Sequence, residues 1–325
     1  MPKLSDLGER AVVAQVLRIL DRGHPIGLGH DIGVAEWGDD YLVVTTDVLN
    51  AKTHVPPGAT PEQVGWYSVA SNLSDIAASG ARPLGFLAAL SLPGSLDLEY
   101  LRGLARGMDA CAREFGIAVL GGDTKEADAV SIAGTAFGRV ARSKILLRRG
   151  ARKGDAVVVT GELGRSAWAA DQLRADPSSP RALDVLLRPY PRIAEGTRFS
   201  ESGGVTSCID ISDGLGVTLA ELGEMSGVSF AIDGSSLPVY GPLRDMPADR
   251  VREGALYYGG DYELVATVRP DAVEALLGPL RGATRTKLTV IGNVGPRGPN
   301  TLLATGGKKP LEPRGWEHFR PSRGR

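Results

Sequence analysis

Cysteine is scarce: Cys111 and Cys208 are the only two in 325 residues. Two cysteines cannot staple a small secreted scaffold, and their scarcity fits a reducing compartment. Net charge is also missing. Thirty-seven Lys and Arg against 38 Asp and Glu leave −1, so bulk electrostatics give no reason to expect nucleic acid or an anionic membrane as partner. No apolar run approaches the ~18 residues of a membrane-spanning helix. The N-terminal stretch carries Asp6 and Glu9 rather than an apolar signal core, and a cytoplasmic location is the expectation. Familiar catalytic signatures are absent too. There is no G-x-x-x-x-G-K-[ST] phosphate loop, no G-x-G-x-x-G after a strand pattern and no G-x-S-x-G elbow. Four scattered histidines and two cysteines argue against a structural zinc site.

What is abundant is glycine. Forty-three of 325 residues is about 13%, against a usual ~7%. Either the chain makes many tight turns, or backbone lies close against a ligand such as phosphate. The length suits two domains, each able to bury a core, and the 42% hydrophobic and 23% charged composition is that of a soluble globular protein.

Periodicity outlines the chain. Residues 9–22 read as an amphipathic helix, and Tyr41–Leu49 as a strand ending in polar residues. Thr60 is a helix N-cap, Pro61 suits the first helical position and Gln63 completes a capping box. That helix should stop near Gly80, with Val69, Leu73 and Ile76 as an apolar stripe and Ser68, Asn72, Asp75 and Ser79 as a polar stripe beside it. "LGFLAALSLP", "IAVLGGDT" and "AVSIAGTAFGRV" read as strands, and "LEYLRGLARGMDACAREFG" as a helix. "RRGARKGD" (Arg148–Asp155) is a basic, glycine-punctuated connector. It sets the expected boundary, with domains at 1–147 and 148–325. Beyond it come the strand "AVVVTG", a helix over about 165–175, the loop "DPSSPR" and a helix within "PYPRIAEGTRFSESG". "SCIDISD" is a strand end followed by the helix "LGVTLAELGEMSG". "DYELVATV", a helix over 270–280 and "KLTVIGNV" follow. The Pro-, Gly- and Arg-rich tail is expected to be poorly ordered except near Trp316–Phe319. "LSD" (Leu73–Asp75) and "ISD" (Ile211–Asp213) are expected at strand–helix junctions of two similarly planned halves.

The chemistry rests on aspartates at the ends of these segments: Asp31, Asp47, Asp75, Asp123, Asp210 and Asp213. Singly, each reads as an N-cap or turn residue. Together they suggest an oxygen-rich site for a hard cation such as Mg²⁺, which commonly bridges carboxylates to nucleotide phosphates. The glycines of "GGDT" would let backbone N–H groups approach phosphate, and the helix beginning after Ser212 would add positive potential.

Seven segments, "GLGHDIGV", "TTDVLNAKTHV", "NLSDIAASGARP", "GGDT", "RRGARKGD…VTG", "IDISDGL" and "GGDYEL", with a closing "GWEHF", stand in an order that resembles the thiamine-monophosphate kinases of the aminoimidazole ribonucleotide synthetase-like superfamily. The resemblance runs from about residue 27 to Phe319. It implies a two-domain α/β (α+β) fold and a homodimer whose N-terminal strands build a β-barrel. It also implies ATP-dependent phosphorylation of thiamine monophosphate to thiamine diphosphate by direct in-line transfer. By resemblance, Asp31, Thr45, Thr46, Asp47, Asp75, Asp123, Asp210 and Asp213 hold several Mg²⁺ ions. Gly121, Gly122, Arg148 and Ser212 meet ATP, and His54, Asp261 and Trp316 meet the thiamine substrate. No covalent nucleophile is implied, because the attacking phosphate is already ionised near neutral pH. The bland alternatives are a surface His54, a Trp316 that only pins the tail, and an Arg148–Arg149 pair that is solvated linker.

Two departures stand out. The family usually has two adjacent aspartates in its first glycine motif, and here His30 replaces the first. The family's "GGEDYEL" is one residue short, leaving Asp261 directly after the glycine pair, one carbon shorter than glutamate. If Asp261 reads the substrate, its affinity for thiamine monophosphate should be weaker than in relatives with the glutamate. The rival readings are another ATP-dependent enzyme of the superfamily and a catalytically silent nucleotide-binding protein. No cysteine precedes Cys111 and the sequence closes on "SRGR". That argues against the superfamily's selenophosphate synthetases and its carbamoyl dehydratases, which need a reactive cysteine near one end.

Overall fold

The computed structural model describes residues 3–20, 23–278, 286–304 and 306–319. After a single helical turn at Leu4–Leu7, helix α1 (Glu9–Leu20) carries acidic Glu9 in its first turn. Strands β1 (Gly33–Trp37), β2 (Asp40–Asn50), β3 (Arg82–Leu92), β4 (Val119–Glu126) and β5 (Ser131–Ala141) form one sheet in the order β1-β2-β5-β3-β4. Only β3 and β4 run parallel within it. Helices α2 (Pro61–Ala78) and α3 (Leu98–Glu114) cover one face.

The second half holds β6 (Ala156–Thr160), α4 (Arg165–Ala175), α5 (Pro180–Leu187), α6 (Ile193–Ser202), β7 (Val205–Asp210), α7 (Leu215–Ser226), β8 (Ser229–Asp233), α8 (Ala248–Tyr257), β9 (Leu264–Val268), β10 (Leu288–Gly295), β11 (Thr301–Ala304) and β12 (Gly307–Pro310). Its seven strands are ordered β12-β11-β8-β10-β6-β9-β7. Every residue of β6 and β9 is buried, as expected of strands covered on both faces.

Helix α2 joins the halves. Its start follows the capping rule: Gln63 N donates to the Thr60 hydroxyl at 3.2 Å, and Thr60 N donates to Gln63 Oε1 at 2.9 Å. The expected polar stripe is not a solvated face. Fifteen of the helix's 18 residues are buried, Ser68, Asn72 and Asp75 among them. Val69, Leu73 and Ile76 fill the first sheet's core. Ala77 and Ala78 enter a third core with Val158, Phe199, Cys208, Leu264 and Ala266 of the second half. A helix buried all round must satisfy its polar groups internally. Asn72 Nδ2 donates to Ser68 O at 2.9 Å, and Ser74 donates across the boundary to Asp210 Oδ2 at 2.6 Å.

Several expectations need correction. "LSD" lies inside α2, whereas "ISD" follows β7, so the two motifs do not mark equivalent junctions. The tail is ordered through a hairpin: β11 pairs with β12 and, in parallel, with β8. Its backbone is satisfied by sheet pairing, which Pro- and Gly-rich composition did not reveal. Helices α5 and α8 also escaped the sequence reading, because both are short amphipathic pieces between loops. Residues 279–280 of the helix expected over 270–280, and the tail beyond Phe319, lie outside the described residues.

Thr60→Ala removes one acceptor of the capping box, and the expected cost is about 1 kcal/mol. Equilibrium denaturation should record that loss, with the cooperativity of unfolding unchanged.

Candidate active site

The domain boundary gathers carboxylates. Asp31 precedes β1, Asp75 projects from α2 and Asp210 ends β7; carboxylate oxygens of all three lie within 4.8 Å of one another. The Thr45 hydroxyl on β2 is 2.6 Å from Asp75 Oδ2 and 2.9 Å from the Asp31 carbonyl. Burial pushes the Asp75 carboxyl well above the ordinary aspartate range, and the negative charges of Asp47 and Asp210 push it further. Asp210 is raised to about 6, chiefly by burial; the Ser74 hydrogen bond opposes that and Asp47 adds to it. Asp213 rises to about 7 through burial, then through Glu221 and Glu9. Asp47 is raised by burial as well, and its backbone N donates to Asn72 Oδ1 at 3.1 Å.

A guanidinium faces this group. Arg148 Nε donates to Asp31 Oδ2 at 2.9 Å and its Nη2 to Oδ1, a two-pronged pair. Its Nη1 lies 3.3 Å from Glu221 Oε2. Arg148 is therefore no solvated linker residue. His30 is held neutral, its pKa lowered to about 4 by burial and then by Arg149 and Arg148. It brings no carboxylate to the cluster, and its Nδ1 accepts a long 3.4 Å contact from Arg148 N. Beside the cluster opens a cavity of about 350 Å³, lined by Gly27, Gly29, His30, Asp31, Thr45 and Thr46 among others.

The loop after β7 is held by its neighbours. Gly260 N donates to Ser212 O at 2.7 Å, and Trp316 N donates to Asp213 O at 2.9 Å. A Cβ on Gly259 would stand 2.5 Å from Ser212 O, so only glycine allows the two loops this approach. Trp316 in turn stacks edge-on against His318, whose ring centroid is 5.6 Å from that of His54. His54 and Trp316, expected at one substrate, thus converge through His318. That residue was overlooked inside "GWEHF", and Glu9 Oε2 accepts from its backbone N at 2.9 Å.

Other expected members stand apart within one chain. Asp123 is exposed on edge strand β4, its carboxylate accepting from Thr124 N and lying 3.3 Å from Lys125 Nζ. Asp47, Gly134, Ala88 and Gly122 share one row across β2, β5, β3 and β4. Three strand spacings put Gly122 about 14 Å from Asp47. Gly122 also has a structural reason to be glycine: a Cβ there would stand 1.8 Å from Ala88 O. Gly121 neighbours it on the same exposed strand. Thr46 donates its hydroxyl to Gly134 O at 2.7 Å rather than to the cluster.

Profiles of two families match the chain: the N-terminal domain of AIR synthase related proteins over residues 29–140, and their C-terminal domain over residues 152–303. The thiamine-monophosphate kinase of Pyrococcus horikoshii is 37% identical over 90% of this chain and 91% of its own. That of Halobacterium salinarum is 40% identical over 80% and 88%. The chain belongs to the thiamine-monophosphate kinase family. Among solved structures, AaThiL complexed with AMPPCP and TMP superposes with a TM-score of 0.86 at 29% identity, covering 98% of this chain and 99% of that one. HypE from E. coli, at 22% identity and a TM-score of 0.71, shares the fold.

Within this family the shortened loop takes an unexpected course. Asp261 is buried, and its carboxylate accepts from Gly164 N at 2.6 Å, Ser166 N at 3.1 Å and Ser166 Oγ at 3.0 Å. It caps the start of α4 instead of reaching toward a substrate. The carboxylate expected to read thiamine is thus engaged at the start of α4. The partners lie 95 and 97 residues earlier in the chain, beyond the reach of any local pattern.

Burial raises the Asp261 pKa to about 6. The folded value exceeds the unfolded one, so its titration contributes stability that is full below about pH 4 and lost as pH rises through about 6. Asp261→Ala strands three buried donors and should cost at least about 2 kcal/mol. The deficit against wild type, read from denaturation at a series of pH values, should be largest in acid and shrink through pH 6. A variant of unchanged stability, with only its Michaelis constant for thiamine monophosphate altered, would return Asp261 to the substrate.

Proposed function

We infer that the protein transfers the γ-phosphoryl group of ATP to thiamine monophosphate, giving thiamine diphosphate and ADP. The observation that carries this reading is the group Asp31, Asp75 and Asp210, drawn from both halves of a kinase-family chain. The residues fit a divalent cation: all donors are hard oxygens, three carboxylates converge, and two have pKa values raised by burial and by neighbouring negative charges. Asp31, Asp75 and Asp210 would hold Mg²⁺ directly, with Asp47, Asp213 and Thr45 around them. When bound, the cation supplies neutralisation of phosphate charge and alignment of the two phosphates.

The chain's own groups account for the remainder. The cavity beside the cluster is of the size that takes small ligands. Arg148 stands where anionic oxygens would draw its guanidinium from Asp31, so it serves as an electrostatic partner for ATP. Ser212, between Asp210 and Asp213, offers a hydroxyl and the approach to α7. His54, Trp316 and His318 form an aromatic and imidazole surface suited to a heteroaromatic substrate. The acceptor phosphate is a ready nucleophile, so positioning and electrostatics suffice and no enzyme-bound phosphoryl forms. A division at 147/148 leaves one sheet in each domain.

The same reading makes the active protein a homodimer. The uncovered face of the first sheet exposes Val48, Leu84, Leu87 and Leu120, an apolar surface fit to close against a second copy as a barrel. Closure would also give exposed Asp123, Gly121 and Gly122 a place at an interface. Sedimentation should give about twice 34.1 kDa at micromolar protein; a stable monomer at that concentration rules out the barrel.

Asp210→Asn keeps the shape and removes the charge. Turnover at saturating Mg²⁺ should fall by more than the roughly 10–100-fold typical of losing an outer metal partner, with the fold intact by circular dichroism. ATP turnover measured with and without thiamine monophosphate separates the kinase from a silent nucleotide binder and from a synthetase-like enzyme. Only the kinase forms thiamine diphosphate.

A further inference from the structure

Tyr262 is one of two described residues other than glycine with positive φ, at 53°. A side chain with a Cβ rarely adopts that conformation, and it persists only where its surroundings over-determine it. Here they do. On one side Asp261 is tied to the start of α4. On the other, Glu263 is buried and accepts from Arg192 Nε and from the Thr160 hydroxyl, each at 2.6 Å. Between them, Tyr262 N donates to Ile211 O at 3.0 Å, and Ile211 N donates to Glu263 O at 2.7 Å. The segment thus grips the backbone between Asp210 and Asp213. The strained turn directs the Tyr262 ring out of its own half toward α2, where its hydroxyl lies 2.6 Å from that of Tyr67.

Tyr67 and Ser74 are seven residues apart, close to two full turns, so they share one face of α2. At 1.5 Å per residue they are about 10.5 Å apart along the axis. Both cross the boundary: Ser74 to Asp210 at 2.6 Å, and Tyr67 to Tyr262. Other bonds also tie α2 to the second half, Gln63 Nε2 to Asp184 Oδ1 at 2.8 Å and Trp66 Nε1 to Pro189 O at 3.0 Å. But these two alone reach Asp210 and the segment that grips the Asp210–Asp213 backbone, and together they set the angle at which α2 meets it. Asp75 sits on this same helix, and Asn72, which holds the Asp47 backbone, is on it too. The angle of α2 therefore sets how far the carboxylates of the first half stand from those of the second. Neither tyrosine belongs to the acidic group itself.

We propose that the Tyr67–Tyr262 hydrogen bond positions the two halves of the acidic site, fixing the distance from Asp47 and Asp75 to Asp210 and Asp213 at which a divalent cation is held. The proposal deepens the kinase reading, and its first readout does not depend on turnover.

The test uses Tyr67→Phe, Tyr262→Phe and the double variant of the full chain. Mn²⁺ binding to the nucleotide-free protein is followed by electron paramagnetic resonance, alongside the Mg²⁺ midpoint of kcat and metal-free thermal unfolding. Each single variant should weaken Mn²⁺ binding about three- to tenfold and raise the Mg²⁺ midpoint by a similar factor. The double variant should be no worse than either single, since the two hydroxyls act as one unit. Unchanged Mn²⁺ affinity in all three proteins overturns the proposal, even where unfolding temperature drops, because that pattern is plain structural support. Independent losses that multiply in the double variant overturn it as well. A protein that shows the expected Mn²⁺ pattern and forms no thiamine diphosphate refutes the kinase reading and upholds the tyrosine pair.

Discussion

Asp75 and Asp210 confront one another across the join between two halves of the chain, and burying two like charges at one place opposes folding in both. A lone carboxylate removed from water loses solvation that nothing apolar repays, and a second nearby raises the penalty further. The surroundings offset part of it. The Thr45 and Ser74 hydroxyls each bond one of the pair at 2.6 Å, and Arg148 occupies Asp31. What remains shows as carboxyl groups with raised pKa values. Much of the fold serves to hold this unfavourable arrangement: an all-round-buried helix, an apolar core shared by both halves, and paired loops packed on glycine.

Helix α2 is the element on which that arrangement turns. Its apolar stripe is spent on the first sheet and its last turn on the shared core. The polar stripe finds its partners at home: Thr45 for Asp75, the Asp47 backbone for Asn72 and carbonyls of α2 for Ser68 and Ser79. Ser74 and Tyr67 beside it reach specific partners in the second half. Burying a fully partnered polar face yields less free energy than burying an apolar one, but it accepts only one alignment. A purely hydrophobic join would tolerate sliding, and a slide of one residue, about 1.5 Å along the helix, is enough to spoil metal geometry.

How much of this was legible in the sequence follows from the range of each interaction. The capping box at Thr60–Gln63, the extent of α2 and the strand ending in Asp210 depend on neighbours a few residues away, so pattern reading found them. The convergence of Asp31, Asp75 and Asp210 came through family resemblance, because nothing local links residues so distant in sequence. Asp123 looked equivalent to them by motif. Sheet order decides otherwise within one chain, since β4 stands three strands from β2. Asp261 was assigned to the substrate through family resemblance, and no local pattern told that its carboxylate is engaged by Gly164 and Ser166. The Tyr67–Tyr262 contact left no trace either, for a tyrosine on a helix and another beside a strand are unremarkable until the halves meet.

The placement of the carboxylates couples three equilibria that a site inside one domain would keep separate. A cation bound between the halves would favour their apposition, and apposition would raise affinity for the cation by the same factor. Protons act on the same groups: Asp210 at about 6 and Asp213 at about 7 take up protons in the range where a cation needs them ionised. Proton and cation are therefore alternative ways of relieving one repulsion, and affinity for the cation must fall as pH drops through those values. Arg148 is a third remedy, built into the chain beside Asp31 and Glu221. The site then need not hold its negative charges unscreened: guanidinium and protons cover them, and a cation bound there would do the same. That economy explains why acids so costly to bury are placed where the two halves join.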